Sequence, residues 1–209
     1  MNLIKLKNEF FKKKINKTNY IKKIYYKYHD LLFQYSDLIV KTDIQKIEIT
    51  STGVKMTSKK FGVNMALPTQ DHRSAPLECI NFNSCEEKEL EVIMQLLPKQ
   101  GNFIDIGANI GWHSLIIAKK FKKINVYAFE PIKKTYNFLL QNIKLNSIKN
   151  INPYNFGFFN ENKKISFYTY KEGSVNASIQ NLSQRSSVIL QKSYVKIFDD
   201  FTNQYKLKV

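Results

Sequence analysis

One block constrains this 209-residue chain more than any other: Phe103-Ile104-Asp105-Ile106-Gly107-Ala108-Asn109-Ile110-Gly111-Trp112-His113-Ser114-Leu115. A short apolar strand runs into a glycine, the chain turns tightly, and a second glycine opens a helix predicted over 112–121. Glycine tolerates the backbone angles of such a turn and lets a ligand approach the main chain closely. The helix start then points its unpaired N–H groups at that ligand. Downstream the pattern alternates. Val126–Phe129 reads as a strand, Tyr136, Leu139, Leu140 and Ile143 as one face of a helix, and Ile151–Phe156 as a third strand. Strand and helix alternating over about 55 residues predict an α/β fold with a parallel, doubly wound, Rossmann-like sheet.

The loop chemistry narrows the ligand. Glu130 closes the second strand, where a carboxylate can accept both hydroxyls of a ribose. Dinucleotide loops favour G-x-G-x-x-G, whose middle glycine makes room for a pyrophosphate. Here the spacing is G-x-x-x-G, with Ala108 and Asn109 in that place. Asp105 at the loop entrance is a poor neighbour for phosphate and a good one for an ammonium group. S-adenosyl-L-methionine carries an amino acid end, a sulfonium and no phosphate, and it is the cofactor these charges predict. A pair of glycines that merely caps a strand and a helix is the plainer reading. It leaves the two acids unexplained.

The central block, together with Val126-Tyr127-Ala128-Phe129-Glu130-Pro131, Tyr136 and Asn142-Ile143-Lys144-Leu145-Asn146, resembles the FkbM-like family of class I methyltransferases. Weaker likeness extends from about Ile47 to Phe201 through Asp71-His72-Arg73, Glu87, Asn176-Ala177-Ser178 and the segment 195–201. The resemblance implies a Rossmann-like fold, S-adenosyl-L-methionine as cofactor and O-methylation of a sugar, polysaccharide or other small-molecule hydroxyl. Carried over by position, Asp105 and Gly107 hold the methionine end, Glu130 the ribose, and Asn109 and Gly111 shape the loop. Asn155 to Gly157 fall beside the adenine, where Phe156 is either a stacking ring or plain core. That family continues into a fourth core strand where this sequence stops, at Lys206-Leu207-Lys208-Val209. A C-terminally truncated sheet with an open edge is therefore expected, together with a partner chain or missing part to cover it. No general base is assigned. His113, Asp199, Asp200 and Glu87 are candidates by type, but each has a plainer use in packing, turns or caps.

Ahead of this core, the apolar residues Ile21, Ile24, Tyr25, Tyr28, Leu32, Tyr35 and Ile39 recur at helical steps, and 10–14 suggest a looser helix. Ile47, Ile49, Val54 and Met56 alternate around Ser51-Thr52-Gly53 as a hairpin, with a further strand within 61–67 and a polar stretch over 68–83. Ser84 with Glu87 reads as a capping box for a helix through Leu90, Ile93 and Leu97, ended by Pro98 and Gly101. Later strands are expected over 165–170 and 194–198, separated by a polar loop over 172–187. The predicted organisation is a basic helical segment over 1–45, a hairpin lead-in over 46–83 and the partial Rossmann-like domain over 84–209.

Composition adds the charge. The chain carries a formal +16, and residues 1–60 hold 14 lysines against five acids. A basic head of this kind meets polyanions or an anionic membrane surface. A nucleic-acid methyltransferase or binder is the rival function, drawing on the Lys–Tyr interleaving over 22–28 and on Asn152-Pro153-Tyr154; a non-catalytic remnant is the third. Against nucleic acid, the tyrosines lie on the face assigned to packing and the lysines match a chain rich in Lys, Asn and Ile. The expected partner is therefore a small-molecule or glycan acceptor, not nucleic acid, with peripheral membrane contact kept open. Two cysteines, Cys79 and Cys85, and three scattered histidines make neither a disulfide framework nor a zinc pattern. No apolar run approaches ~18 residues and the N-terminus meets charge too early for a secretory signal, so a cytoplasmic location is expected.

Overall fold

The computed structural model describes residues 2–69, 71–170, 173–181 and 188–207. The chain divides into two units, Met1–Thr42 and Asp43–Val209, and each is described by itself.

The first unit is helical: α1 (Leu3–Phe11), α2 (Lys17–Ile24) and α3 (Asp30–Ile39). Asn2 and Asn16 cap α1 and α2 by accepting the N–H of Lys5 at 2.8 Å and of Asn19 at 2.9 Å. Leu6 is fully buried, and the Phe10 and Tyr20 rings stack at 4.5 Å, which closes α1 onto α2. The single helix expected over 21–39 is interrupted by a π-turn, Tyr25–His29, in which Asp30 N–H bonds back to the Tyr25 carbonyl. One inserted residue shifts the apolar pattern only slightly, so periodicity alone does not reveal it.

The second unit opens with an antiparallel sheet, order β1-β2-β3, of β1 (Ile44–Thr50), β2 (Gly53–Ser58) and β3 (Asn64–Ala66). Its hairpin pairs Thr50 with Gly53 across Ser51-Thr52, as the alternation predicts. Within the polar stretch a helix appears, α4 (Ala75–Phe82), with Pro76 in its first turn and Glu78 beside it. The next helix, α5 (Glu87–Leu96), starts later than expected. Glu86, in the left-handed region at φ +49°, precedes it, and Ser84 is not its cap. The Ser84 hydroxyl instead bonds the Glu87 carboxylate, which also pairs with Lys60.

The predicted core follows closely. β4 (Gly101–Ile106), α6 (Trp112–Lys120), β5 (Ile124–Phe129), α7 (Lys133–Leu145) and β6 (Ile151–Tyr154) form a parallel three-stranded sheet, order β4-β5-β6. This is the α/β, Rossmann-like architecture the sequence implies. Val126, Ala128 and Phe129 of β5, Leu115, Ile117 and Ala118 of α6, and Leu139 of α7 are wholly buried. Among the described residues β4 pairs only with β5, and Ile106 at its end is 58% exposed.

A second, mixed sheet packs four strands in the order β7-β10-β8-β9: β7 (Gly157–Phe158), β8 (Lys163–Tyr170), β9 (Gly173–Ser178) and β10 (Val188–Lys196). β9 lies inside the segment expected to be a polar loop; of that loop, residues 172 and 182–187 fall outside the described residues. The last predicted strand ends at Lys196, and α8 (Phe198–Gln204) takes over, with Asp199 and Asp200 in its first turn.

Candidate cofactor-binding loop

The glycine block forms a strand–turn–helix. Gly107 and Ala108 each donate their N–H to the Phe129 carbonyl at 2.9 Å, so the loop is fastened to the end of β5. Gly107 sits at φ +84°, and a side chain built there would meet nothing within 4 Å. Its glycine is demanded by backbone angle and the space before it is open. Gly111 differs. At φ +98° it starts α6, and an added Cβ would lie 2.7 Å from Leu139 Cδ1. That glycine is a close-packing position between α6 and α7. Asn109 between them is also left-handed, at φ +50°.

Glu130, only 6% exposed, accepts the Asn109 N–H at 3.0 Å on one oxygen and the Ile132 N–H at 2.8 Å on the other. Burial pushes its carboxyl up to about 7, against the two backbone N–H bonds that lower it and with the Asp105 charge adding to the rise. Asp105 accepts a 2.6 Å hydrogen bond from the Ser114 hydroxyl. Burial of its carboxyl likewise raises the pKa, and the Ser114 bond and the His113 charge oppose that rise. The Asp105 charge is thus felt at Glu130 across the loop.

Next to the loop lies a cavity of about 490 Å³, lined by Gly107, Ala108, Asn109, Ile110, Trp112 and His113 on one side and by Arg73, α4 and the residues just before α5 on the other. Its volume is in the range of small-molecule sites. Neither Asp105 nor Glu130 lines it. The far wall holds residues the sequence reading did not associate with the loop: Arg73, 3.7 Å from Glu78, and Cys85. In the sequence this wall is marked by Asp71-His72-Arg73, through the resemblance, and by Ser84, read as a cap. Cys85 and Cys79 are both buried thiols; their mutual hydrogen bond and burial hold the Cys85 pKa above the ordinary thiol range. Trp112 is 4% exposed and its Nε1 has no hydrogen-bond partner among the described residues.

The remaining candidates fall elsewhere. Phe156 sits inside an aromatic core with Phe129 (5.4 Å) and Phe201 (5.8 Å), and the Lys196 ammonium lies 4.5 Å over its ring. Its plainer reading, core packing, describes this position. Gly157 pairs with Val195 in the second sheet and abuts Pro131. Asn155 donates to the carbonyls of Glu130 (2.8 Å) and Pro131 (3.2 Å), tying the ends of β5 and β6 together. His113 Nε2 lies 3.3 Å from Glu86. Asp200 accepts from Asn162 at 3.2 Å, outside the loop, and Glu87 belongs to the Lys60 pair. No helix among the described residues is long and apolar enough to cross a membrane.

Residues 76–164 match the family model of the TRM5/TYW2 methyltransferase domain. A curated relative, "Methyltransferase 1" of Beauveria bassiana (strain ARSEF 2860), is 23% identical over 82 residues, which are 39% of this chain and 33% of that protein. The matched part thus spans about a third of the length of this curated relative. Among solved structures, P. horikoshii TYW2 in complex with MeSAdo is similar at 21% identity and a TM-score of 0.41, over 67% of this chain and 52% of that one. An M. jannaschii tRNA m1G37 methyltransferase is similar at 16% identity and a TM-score of 0.30, over 54% and 29% of the two chains.

The match corrects three expectations. The family model is that of TRM5/TYW2, not an FkbM-like one. The sugar or small-molecule hydroxyl loses its basis with that family, and so does the exclusion of nucleic acid as a partner. The glycine loop and the acid after β5 speak to the cofactor and not to the methyl acceptor, so they do not separate one acceptor class from another. The Rossmann-like methyltransferase fold and the S-adenosyl-L-methionine cofactor class agree with the match, whose domain is a methyltransferase one.

Proposed function

We propose that this chain carries the cofactor-binding part of an S-adenosyl-L-methionine-dependent RNA methyltransferase. The observation that carries the reading is the glycine loop between Asp105 and Glu130, inside the segment matching the TRM5/TYW2 methyltransferase domain. Gly107 leaves open space where any side chain would stand. Asp105 and Glu130 flank the loop without lining the cavity beside it, and in this reading Asp105, already bonded by Ser114, meets the ammonium while Glu130 uses lone pairs beyond its two backbone bonds for ribose hydroxyls. The cofactor supplies an electrophilic methyl group on a sulfonium when bound. The chain's own contribution is positioning: Asn109 and Glu130 fix the loop, and Gly111 seats α6 against α7 so that the helix start faces the ligand.

RNA is the acceptor class in this reading. It is supported by the TRM5/TYW2 match and by a formal charge of +16, which favours a polyanion. A tRNA is the acceptor to try first. A cytoplasmic setting belongs to the same reading, since Cys79 and Cys85 stand as thiols. The test is transfer of a labelled methyl group from S-adenosyl-L-methionine to unmodified tRNA, to unstructured RNA and to a free glycan, using the full-length protein. Label in RNA supports the proposal. Label in the glycan alone, or in none with cofactor bound, overturns the acceptor assignment.

A further inference from the structure

We infer that the N-terminal unit, residues 2–42, is a module that docks on an anionic membrane surface. The inference is independent of the acceptor read above. Its starting point is an excess of exposed apolar side chains. Of the 24 large apolar residues that stand exposed among the described residues, twelve lie between Leu3 and Val40. Phe11 is 68% exposed, Tyr26 76% and Phe33 62%, with Ile4, Ile21, Leu31, Leu32 and Leu38 also open. The helical hairpin does not need them to close, because Leu6 and the stacked Phe10 and Tyr20 already supply its interior.

Charge identifies the occupant. The first 42 residues hold ten lysines and three acids. Eight of those lysines, Lys5 to Lys23 in α1, the turn and α2, precede the π-turn, and the apolar residues of α3 follow it with no lysine before Lys41. RNA explains the lysines and the tyrosines of the π-turn, but it offers nothing to Leu31, Leu32, Phe33 and Leu38. A second copy docked on α3, which holds Asp30 and Asp37 and no lysine, would leave the eight lysines ahead of the π-turn without an anion. An anionic bilayer surface meets both halves: phosphate headgroups take the ammonium groups, and the acyl boundary takes leucine and phenylalanine. A cavity of about 480 Å³ lined by Leu6, Lys23, Tyr26 and Lys27 has the same mixed character, two cations beside an apolar floor. Since no described helix is long and apolar enough to span, the unit lies on the surface.

The test uses the full chain and two vesicle types, phosphatidylcholine alone and phosphatidylcholine mixed with phosphatidylglycerol. Co-sedimentation should be at least about tenfold stronger on the mixed vesicles and should weaken as salt rises. Phe33→Trp gives a local reporter. Its emission should shift blue on mixed vesicles and be quenched by brominated acyl chains, whereas the native Trp112 alone should show neither. Leu32→Glu with Phe33→Glu, and separately Lys22→Glu with Lys23→Glu, should each lower vesicle binding about tenfold while the helical circular dichroism is kept. Equal binding to both vesicle types, no binding, or a Phe33→Trp emission unmoved by lipid would overturn the inference. So would salt-sensitive RNA binding that the lysine variant abolishes and vesicles do not compete for, which would assign the unit to nucleic acid. Self-association that hides the Phe33→Trp reporter in lipid-free buffer would assign it to a second copy. The wild-type comparison of the two vesicle types decides even if a variant fails to fold.

Discussion

Glu130 at the end of β5 holds the main chain of Asn109 through a 3.0 Å bond to its N–H, so the acid and the glycine loop are one mechanical unit. The second oxygen takes the Ile132 N–H, anchoring the start of α7 to the same carboxylate. In Glu130→Gln the amide offers one acceptor where two donors need one, and an N–H would face an N–H. We expect a loss of about 1–3 kcal/mol at pH 6 and a cofactor affinity at least about tenfold weaker. Chemical denaturation and calorimetric titration would measure the two effects.

The same carboxyl sets a pH dependence. Its pKa is raised to about 7 by burial, above the ordinary glutamate value of the unfolded chain. The folded state therefore holds a proton that the unfolded state has released between those two values. Stability should fall as pH rises from about 4.5 to 7, by up to about 3 kcal/mol, and level off above that. In a series of unfolding curves, Glu130→Gln should leave only the part of this slope that Asp105, raised in the same direction, contributes. Cofactor affinity should move the other way, gaining about tenfold between pH 6 and pH 8 as the carboxylate forms and can accept ribose hydroxyls.

The two glycines should separate under substitution. Gly107→Ala meets no atom and carries only the left-handed backbone cost, about 1–2 kcal/mol, yet it fills the space a ligand approaches. Gly111→Ala adds a 2.7 Å clash with Leu139 to the same backbone cost, so about 2–4 kcal/mol is expected. Measured melting and cofactor titration should show Gly107→Ala losing binding beyond its stability loss and Gly111→Ala the reverse.

Asn142 on α7 joins the hairpin sheet to the loop. Wholly buried, its amide donates to the Ile110 carbonyl at 2.9 Å and accepts the Ala66 N–H at 2.7 Å. Asn142→Leu strands both backbone groups and should cost about 2–4 kcal/mol. Asn142→Asp keeps an acceptor for the Ala66 N–H but sets a buried carboxylate against the Ile110 carbonyl, so a loss at least as large is expected at neutral pH. Denaturant midpoints of the two variants check the order.

The sequence made the parallel core legible because each element there satisfies two rules at once: β4 and β5 are apolar runs, and both are closed by residues that only a turn explains, Gly107 and Glu130-Pro131. Elsewhere one rule was missing. α4 is short, its start is marked by Ser74 and Pro76, and its polar surroundings masked it. β9 is the return arm of a hairpin with β8, Tyr170 pairing with Gly173 and Tyr168 with Ser178, and its run Gly173–Ser178 lacks the apolar alternation that marks a strand. Ser84 looked like a cap because Glu87 follows at the right distance, but the left-handed Glu86 starts the helix only at Glu87, whose carboxylate is shared by Ser84 and Lys60. The candidate loop, with Asp105 and Glu130 at its ends, stands out from spacing, whereas the cavity wall of Arg73, Glu78 and Cys85 is assembled by α4 and the residues flanking it and has no contiguous signature. Phe156 illustrates the opposite hazard, an aromatic at a strand end that the fold spends on its core.

The most direct measurement is calorimetric titration of the folded full-length protein with S-adenosyl-L-methionine, repeated on Gly107→Val. A single site with micromolar affinity in the wild type, and none in the variant with its circular dichroism preserved, is the predicted result. A folded wild-type protein that releases no heat, or a variant that binds as well as the wild type, would contradict the assignment of the loop.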